Sequence, residues 1–202
     1  MSKDTKIIIL SLMMIIFFAL GLMVRGNSEG ILFDANIMEY VHKDINPNLL
    51  SIMRTISFIG SEKFLIPAIA MVIVYTLVKK EYYISKLLLT SSLGCYILNF
   101  ILKQIFNRTR PIKYFLVKQG GLSFPSGHSM VTMSLYSTIA FLLAKKVKDK
   151  RKQRLIYIVS FVMICIMGLS RIYLGVHWPT DIIGGFLIGY VFHYLTITLV
   201  KE

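Results

Sequence analysis

Residues 7–24 read IIILSLMMIIFFALGLMV, and Ser11 is the only one of these positions with a polar side chain. A helix rises about 1.5 Å per residue and the hydrocarbon layer of a membrane is roughly 30 Å thick, so this run is typical of a transmembrane helix. The run is longer than the apolar part of a usual secretory signal, and no A-x-A cleavage site follows it. We therefore expect a retained membrane helix here.

Five further apolar runs follow along the chain, at 64–78, 84–102, 130–144, 155–169 and 182–200. Each must be helical, because lipid cannot satisfy an open backbone. Hydrophobic residues make up 55% of the 202 positions and charged residues 16%, which excludes a disordered chain and an ordinary water-soluble enzyme. The sequence predicts an all-α fold, a polytopic bundle of six transmembrane helices that forms one domain over residues 1–202.

The loop after the first run contains two short amphipathic segments. Asp34 is expected to cap the first, and Asn46-Pro47 is expected to form the cap and first turn of the second. Short amphipathic helices of this kind lie at the membrane surface. Two roles are open for them: a gate for a lipid substrate, or packing across the top of the bundle.

The distribution of charge predicts the orientation in the cell membrane. The formal net charge is +13, and residues 145–154 read KKVKDKRKQR, a dense basic loop between two spans. Short cytoplasmic loops carry such an excess of Lys and Arg, so both termini are expected to be cytoplasmic and loops one, three and five to face outward. A basic run also occurs in nucleic-acid binders, but an orienting loop is the favoured interpretation and no nucleic-acid partner is expected.

The outward third and fifth loops carry three cations, Lys103, Arg110 and Arg171. Arginine offers a planar fork that fits two phosphate oxygens, and lysine adds a point charge. Ser126 and Gly127 directly precede the fourth apolar run, where the free N–H groups of a helix start favour an anion. The sequence therefore predicts a site for a multiply charged group of phosphate size.

Two histidines accompany these cations. His177 and Asp181 are four residues apart, so they share a face if a helix begins near residue 178, and the carboxylate would then fix one imidazole nitrogen and leave the other as a nucleophile. His128 is placed to act as general acid, which predicts phosphoryl transfer through a phosphohistidine. A His–Asp pair also occurs in metal sites, but three cations oppose a divalent ion, so we expect no metal and no cofactor. His193, inside the last run, is expected to hydrogen-bond between helices.

Together these residues form three spaced motifs. They are Lys103, six residues, Arg110-Pro111; then Pro125-Ser126-Gly127-His128; then Ser170-Arg171, five residues, His177, three residues, Asp181. In order and spacing they resemble the three signature motifs of the type 2 phosphatidic acid phosphatase superfamily.

The resemblance implies a metal-independent phosphatase with a helical core. It implies His177 as nucleophile, Asp181 as its orienting partner and His128 as acid for the leaving group. The phosphate-binding residues that it implies are Lys103, Arg110, Ser126, Gly127, His128 and Arg171.

Small bacterial membrane members of that family act on phosphatidylglycerophosphate, undecaprenyl pyrophosphate or phosphatidate. The expected substrate is therefore a lipid phosphate or pyrophosphate presented at the outer leaflet, and the expected partners are this lipid and the bilayer. Two alternatives stay open: a lipid phosphotransferase with the same intermediate, and a catalytically idle lipid-binding or transport protein.

Overall fold

The computed structural model describes residues 2–201, so Met1 and Glu202 of the predicted domain lie outside the described residues. Within that range the chain is helical and contains no β-strand. The α-helices are α1 (Lys3–Val24), α2 (Asp34–His42), α3 (Pro47–Ile59), α4 (Glu62–Val78), α5 (Tyr82–Leu89), α6 (Cys95–Phe106), α7 (Gly127–Lys145), α8 (Lys150–Tyr173) and α9 (Pro179–Leu199). The predicted all-α membrane bundle is confirmed.

Five continuous segments of the described chain are long and apolar enough to cross a membrane: α1, α5 with α6, α7, α8 and α9. The predicted second span differs, because α4 has only 17 residues. It is long and apolar enough to cross a membrane only together with α3, and a bend of 42° separates the two helices. By length and composition this bent pair is either a broken span or a re-entrant loop, so the described chain has five or six spans.

The third span contains one irregular turn. Between α5 and α6 the backbone widens into a π-helical turn over Thr90–Gly94. Such a turn inserts one extra residue into a helix and rotates everything that follows it. The apolar run in the sequence carries no sign of this turn.

The first loop folds into α2 and into α3, the first member of the bent pair. Asn46 caps α3 as predicted, since its side chain accepts from the backbone N–H groups of Asn48 and Leu49. Asp34 does not cap α2: Phe33 is the cap residue, and the Asp34 carboxylate is fully buried. It is buried because it forms an ion pair with Arg108, described below.

α7 lies at the centre of the bundle and packs along both α8 and α9. Glycine at positions 185 and 189 allows the close contact with α9. A Cβ atom built on Gly185 would lie 2.9 Å from the Ser126 carbonyl oxygen, and one on Gly189 would lie 2.5 Å from the Met130 carbonyl oxygen. The small-residue face of the last span is therefore a packing face.

An aromatic cluster fixes the chain that leads into α7. The Phe124 ring stacks on Phe17 at a centroid distance of 5.5 Å and meets Phe106 edge-on at 5.2 Å. All three rings are buried, and Phe124 immediately precedes the Pro125-Ser126 start of the second motif. The core of the bundle thus sets the position of this motif.

Candidate active site

The three motifs meet at one end of the bundle. Lys103 lies in the last turn of α6 and Arg171 in the last turn of α8, whereas Ser126 precedes α7 and His177 precedes α9. Antiparallel helices bring the ends of α6 and α8 beside the starts of α7 and α9. The prediction that Lys103 and Arg171 lie in loops was wrong, because helical geometry continues past both of them.

His177 and Asp181 are in contact, with 3.3 Å between Nδ1 and Oδ2. The same carboxylate oxygen accepts from the Trp178 backbone N–H at 2.9 Å and from the Ser123 hydroxyl at 2.5 Å. The helix begins at Pro179 with Trp178 as its cap, which matches the predicted start. Three groups thus contact Oδ2, and this oxygen fixes one edge of the imidazole.

The other edge of the imidazole faces a cation. Arg110 Nη1 lies 2.9 Å from His177 Nε2 and also donates to the Val176 carbonyl oxygen at 2.7 Å. Because a guanidinium only donates hydrogen bonds, Nε2 is the acceptor and carries the lone pair. Nδ1 therefore carries the proton and donates it toward Asp181, the tautomer that a nucleophilic Nε2 requires.

Burial holds the pKa of His177 well below its usual value of 6.5, and the cations Arg110, Lys103 and Arg171 together with His128 lower it further. Burial also lowers the pKa of Arg110, to about 10, with Asp181 opposing the shift. At neutral pH the imidazole is therefore uncharged while the guanidinium beside it stays positive.

Lys103 and Arg110 donate to backbone oxygens of the segment before the second motif. Lys103 Nζ donates to the carbonyl oxygens of Leu122 at 2.5 Å and Ser123 at 3.1 Å. Arg110 Nε donates to the carbonyl oxygen of Gly121 at 2.9 Å. In the described part of the chain neither Lys103 nor Arg110 forms an ion pair with a carboxylate, so no acidic side chain occupies the place of an anion beside them.

Arg171 and His128 meet at Ser57, a residue of α3 to which sequence reasoning assigned no role. Arg171 Nη1 donates to the Ser57 hydroxyl and Nη2 donates to Gln119 Oε1 at 3.0 Å. His128 Nε2 lies 3.2 Å from the Ser57 carbonyl oxygen, which can only accept, so Nε2 carries a proton. Nothing in the local sequence around Ser57 distinguishes it from other helical serines.

The start of α7 offers backbone donors. Ser126 caps the helix, with its hydroxyl oxygen 3.4 Å from the Ser129 nitrogen, as its position predicts. Its own N–H donates to the Asp181 carbonyl oxygen at 3.1 Å. The first-turn N–H groups of Gly127 and His128 have no acceptor within the helix, so they are the donors left for an anion. A Cβ on Gly127 would lie 3.0 Å from Asn99 Oδ1, so this position is tightly enclosed.

Arg108 is the second residue that sequence reasoning missed, since it was counted only as a loop charge. Its side chain is fully buried and forms ion pairs with Asp34 and with Asp181, each at 2.7 Å. The position of Arg108, five residues after Lys103 and two before Arg110, is a sequence signal for a place near the site. Its partner Asp34 could not be identified in this way, because it is distant in the sequence.

The described residues contain no group of three or more His, Cys, Asp or Glu side chains arranged to hold a metal ion. What they bring together is three cations, two imidazoles and one carboxylate at the ends of four helices. This set can bind a phosphoryl group and transfer it to a ring nitrogen.

Comparison with known proteins identifies the family of this chain. The family model of the PAP2 superfamily matches residues 85–202. Phosphatidylglycerophosphatase B of Bacillus subtilis is 35% identical over 150 residues, which is 74% of each chain. An undecaprenyl-diphosphatase of Sulfolobus acidocaldarius is 23% identical over 196 residues, covering 93% of this chain and 89% of that one.

Two solved structures are similar as well. The crystal structure of a transmembrane PAP2 type phosphatidylglycerolphosphate phosphatase from Bacillus subtilis superposes with a TM-score of 0.84 at 29% identity, over 94% of both chains. Aquifex aeolicus LpxE shares the fold, with a TM-score of 0.66 at 22% identity over 84% of this chain and 97% of that one. The chain therefore belongs to the PAP2 superfamily, and its helices form the fold of a transmembrane phosphatase of that family.

Proposed function

We propose that this PAP2 phosphatase removes the terminal phosphate of a lipid phosphate or pyrophosphate through a phosphohistidine on His177, without a metal or other cofactor. The observation that carries the proposal is the environment of one ring: Nε2 lies 2.9 Å from Arg110 and Nδ1 lies 3.3 Å from Asp181. A neutral imidazole, oriented at one nitrogen and facing a phosphate-binding cation at the other, is prepared for nucleophilic attack.

In the first step the substrate phosphate takes the place of Nε2 as acceptor for Arg110. The Nε2 lone pair attacks phosphorus, a P–N bond forms, and the P–O bond to the leaving group breaks. His128 enters this step with both ring nitrogens protonated and gives its Nδ1 proton to the leaving oxygen, because its Nε2 proton is held by the Ser57 carbonyl oxygen. Lys103, Arg110, Arg171 and the Gly127 and His128 amides stabilise the charge on the three equatorial oxygens.

In the second step a water molecule attacks the phosphorus of the phosphohistidine. His128, now deprotonated, accepts the proton of this water, the P–N bond breaks and inorganic phosphate leaves. The three cations neutralise the charge that magnesium neutralises in many other phosphoryl-transfer enzymes.

A lipid substrate is supported by the surroundings of the site. The site lies at one end of the bundle beside α3, whose apolar residues Ile52 and Phe58 are 55% and 54% exposed. Such a surface suits the acyl or isoprenoid chains of a substrate whose phosphate reaches the cations. The names of the relatives, phosphatidylglycerophosphatase B and undecaprenyl-diphosphatase, favour phosphatidylglycerophosphate or undecaprenyl pyrophosphate as the substrate. Phosphatidate is a third candidate, which rests on the family resemblance of the motifs.

The orientation that we propose places this site at the outer face. α7 begins at Gly127 in the site and runs for 19 residues to Lys145, where the basic loop starts. A helix of that length spans about 28 Å, so the site and the basic loop lie at opposite ends of the bundle. The positive-inside rule then puts the basic loop and both termini in the cytoplasm.

The test is phosphate release by the purified protein in detergent with EDTA present. We expect the wild type to hydrolyse lipid phosphates under these conditions and His177→Asn to lose turnover. His193→Asn is the matched control, because this histidine bonds to Thr138 at 2.9 Å inside the bundle, and it should keep most of the activity. Full phosphate release by His177→Asn would contradict the phosphohistidine route.

The same assay separates the alternatives. An alcohol acceptor added to the reaction reveals a phosphotransferase if the phosphorylated alcohol replaces inorganic phosphate as the main product. Saturable binding of lipid phosphates with no turnover on any of them would identify a binding or transport protein. Both outcomes would overturn the proposed hydrolysis.

A further inference from the structure

Arg108 connects three parts of the chain beneath the site. Its Nη1 donates to the Thr180 hydroxyl and to Asp181 Oδ1, each at 2.7 Å, and its Nη2 donates to Asp34 Oδ2 at 2.7 Å. The side chains of Arg108, Asp34 and Asp181 are all fully buried. Burying a cation away from solvent costs several kcal/mol of desolvation free energy unless charged and polar partners surround it. The burial of Arg108 therefore calls for an explanation.

We infer that Arg108 is a positioning residue for the phosphatase reaction, acting through Asp181, and that Asp34 of the first loop belongs to the same functional unit. The inference rests on the proposed function, because Asp181 matters to the reaction only through His177. It adds two residues that are not fixed positions of the three motifs to the machinery of the site.

Arg108 acts on both oxygens of the Asp181 carboxylate. The guanidinium holds Oδ1, which turns Oδ2 toward His177. The Arg108 carbonyl oxygen accepts from the Ser123 N–H at 2.8 Å, and the Ser123 hydroxyl in turn donates to Oδ2. One residue therefore determines the rotation of the carboxylate from two directions.

Asp34 fixes the helix that carries the carboxylate. Its Oδ1 accepts from the Thr180 N–H at 2.9 Å and its Oδ2 from the Thr180 hydroxyl at 2.7 Å. Thr180 lies in the first turn of α9, so a side chain of the first loop supplies an acceptor for a helix start that lies 146 residues away.

The charges of this group suit the reaction. Asp34 and Asp181 share one guanidinium, so the buried group of three keeps one net negative charge. Two carboxylates so close could not both stay ionised without the cation. His177 becomes positive when Nε2 is phosphorylated and Nδ1 keeps its proton, and the remaining negative charge stabilises that state.

Lysine cannot replace arginine here. The two Nη atoms of Arg108 reach two different carboxylates at once, whereas an ammonium is a single point donor. Arg108→Lys should therefore keep the charge and lose the orientation of Asp181. Arg108→Met alone would leave the buried carboxylates of Asp34 and Asp181 without their cation and endanger folding. It is therefore combined with Asp34→Asn, and the double variant loses one positive and one negative charge.

The experiment measures kcat, KM and the midpoint of thermal unfolding for the purified protein in detergent, with a short-chain lipid phosphate as substrate. For Arg108→Lys and for the Arg108→Met/Asp34→Asn double variant we expect kcat to fall about 10-fold to 100-fold, the range for a partner that orients a reacting group, with KM changed less than about threefold. The double variant should unfold at a higher temperature than Arg108→Met alone. Arg25→Met, a change at an exposed loop arginine, should leave kcat unchanged.

If Arg108 had a purely structural role, the double variant would regain activity together with stability. If the double variant regains the stability of the wild type and kcat returns to within about threefold, the inference is overturned. A wild-type kcat in folded Arg108→Lys overturns it as well. Absence of phosphate release from the wild type would instead overturn the proposed function, so the two failures are distinguishable.

Discussion

Replacing Gly185 by alanine should slow catalysis although the residue touches no substrate. The added Cβ would lie 2.8 Å from the Ser129 Cβ and 2.9 Å from the Ser126 carbonyl oxygen, both at the start of α7. Ordinary contact begins near 3.4 Å, so α9 and α7 must separate by 0.5–0.6 Å at this point.

This separation acts directly on the site, because α7 carries Gly127 and His128 at its start and α9 carries Asp181. A misplacement of 1 Å costs on the order of 100-fold in rate for a positioned reaction, so a shift of half that size should lower kcat about 10-fold. Overpacking costs about 1–3 kcal/mol, whereas alanine gains up to about 1 kcal/mol over glycine in a helix, so the loss of stability should be small.

The assay compares kcat for phosphate release and thermal unfolding in detergent for Gly185→Ala and for Gly94→Ala. Gly94 is a matched control in another membrane helix, since a Cβ there would meet Phe192 at 3.4 Å, an ordinary contact. Wild-type kcat in Gly185→Ala, or an equal loss in both variants, would refute the view that the contact between α7 and α9 sets the geometry of the site.

Three further outcomes are expected. Ser123→Ala removes the 2.5 Å hydrogen bond to the orienting carboxylate, and since a bond to a charged group contributes about 1.5–3 kcal/mol, kcat should fall at least 10-fold in the phosphate-release assay; a fall below threefold would contradict this. The acid limb of kcat/KM should lie below pH 6.5, because burial and neighbouring cations lower the pKa of His177 and the reactive neutral ring is lost only as pH falls through that value. Arg110→Gln removes the nearest cation and should move this limb to higher pH with the same substrate; an unchanged limb would show that another group titrates. In a background without native cysteines, Lys118→Cys should react with an impermeant reagent in intact cells and Lys148→Cys only after lysis, and the reverse pattern would invert the topology.

The spans and motif residues could be predicted because their signals are local. A run such as 7–24 has the length and apolar character of a membrane helix, and alternation of spans then predicts that the three motifs share one face. His193 also followed this logic: a polar ring inside a span needs a partner, and it finds the Thr138 hydroxyl at 2.9 Å. The packing of Gly185 against the start of α7 became evident only from the contacts in the structure.

The remaining features depend on contacts between distant parts of the chain. The Asp34–Arg108 pair joins residues 74 positions apart, and Asp34 by itself looks like an ordinary helix cap. Ser57 belongs to the site because α3 packs against α8, which brings it to Arg171 and His128. These pairings are set by tertiary packing, which hydropathy and residue spacing do not encode.

The π-helical turn at Thr90–Gly94 determines the direction in which the side chains of α6 point. Each residue of a helix advances the azimuth by about 100°, so one inserted residue shifts the phase of everything after it by that angle. Lys103 and Asn99 both lie downstream of the insertion. Shortening this turn by one residue would give a more regular helix and would also swing the ammonium group away from the phosphate. The number of residues here, more than their chemical type, keeps the span in phase with the site.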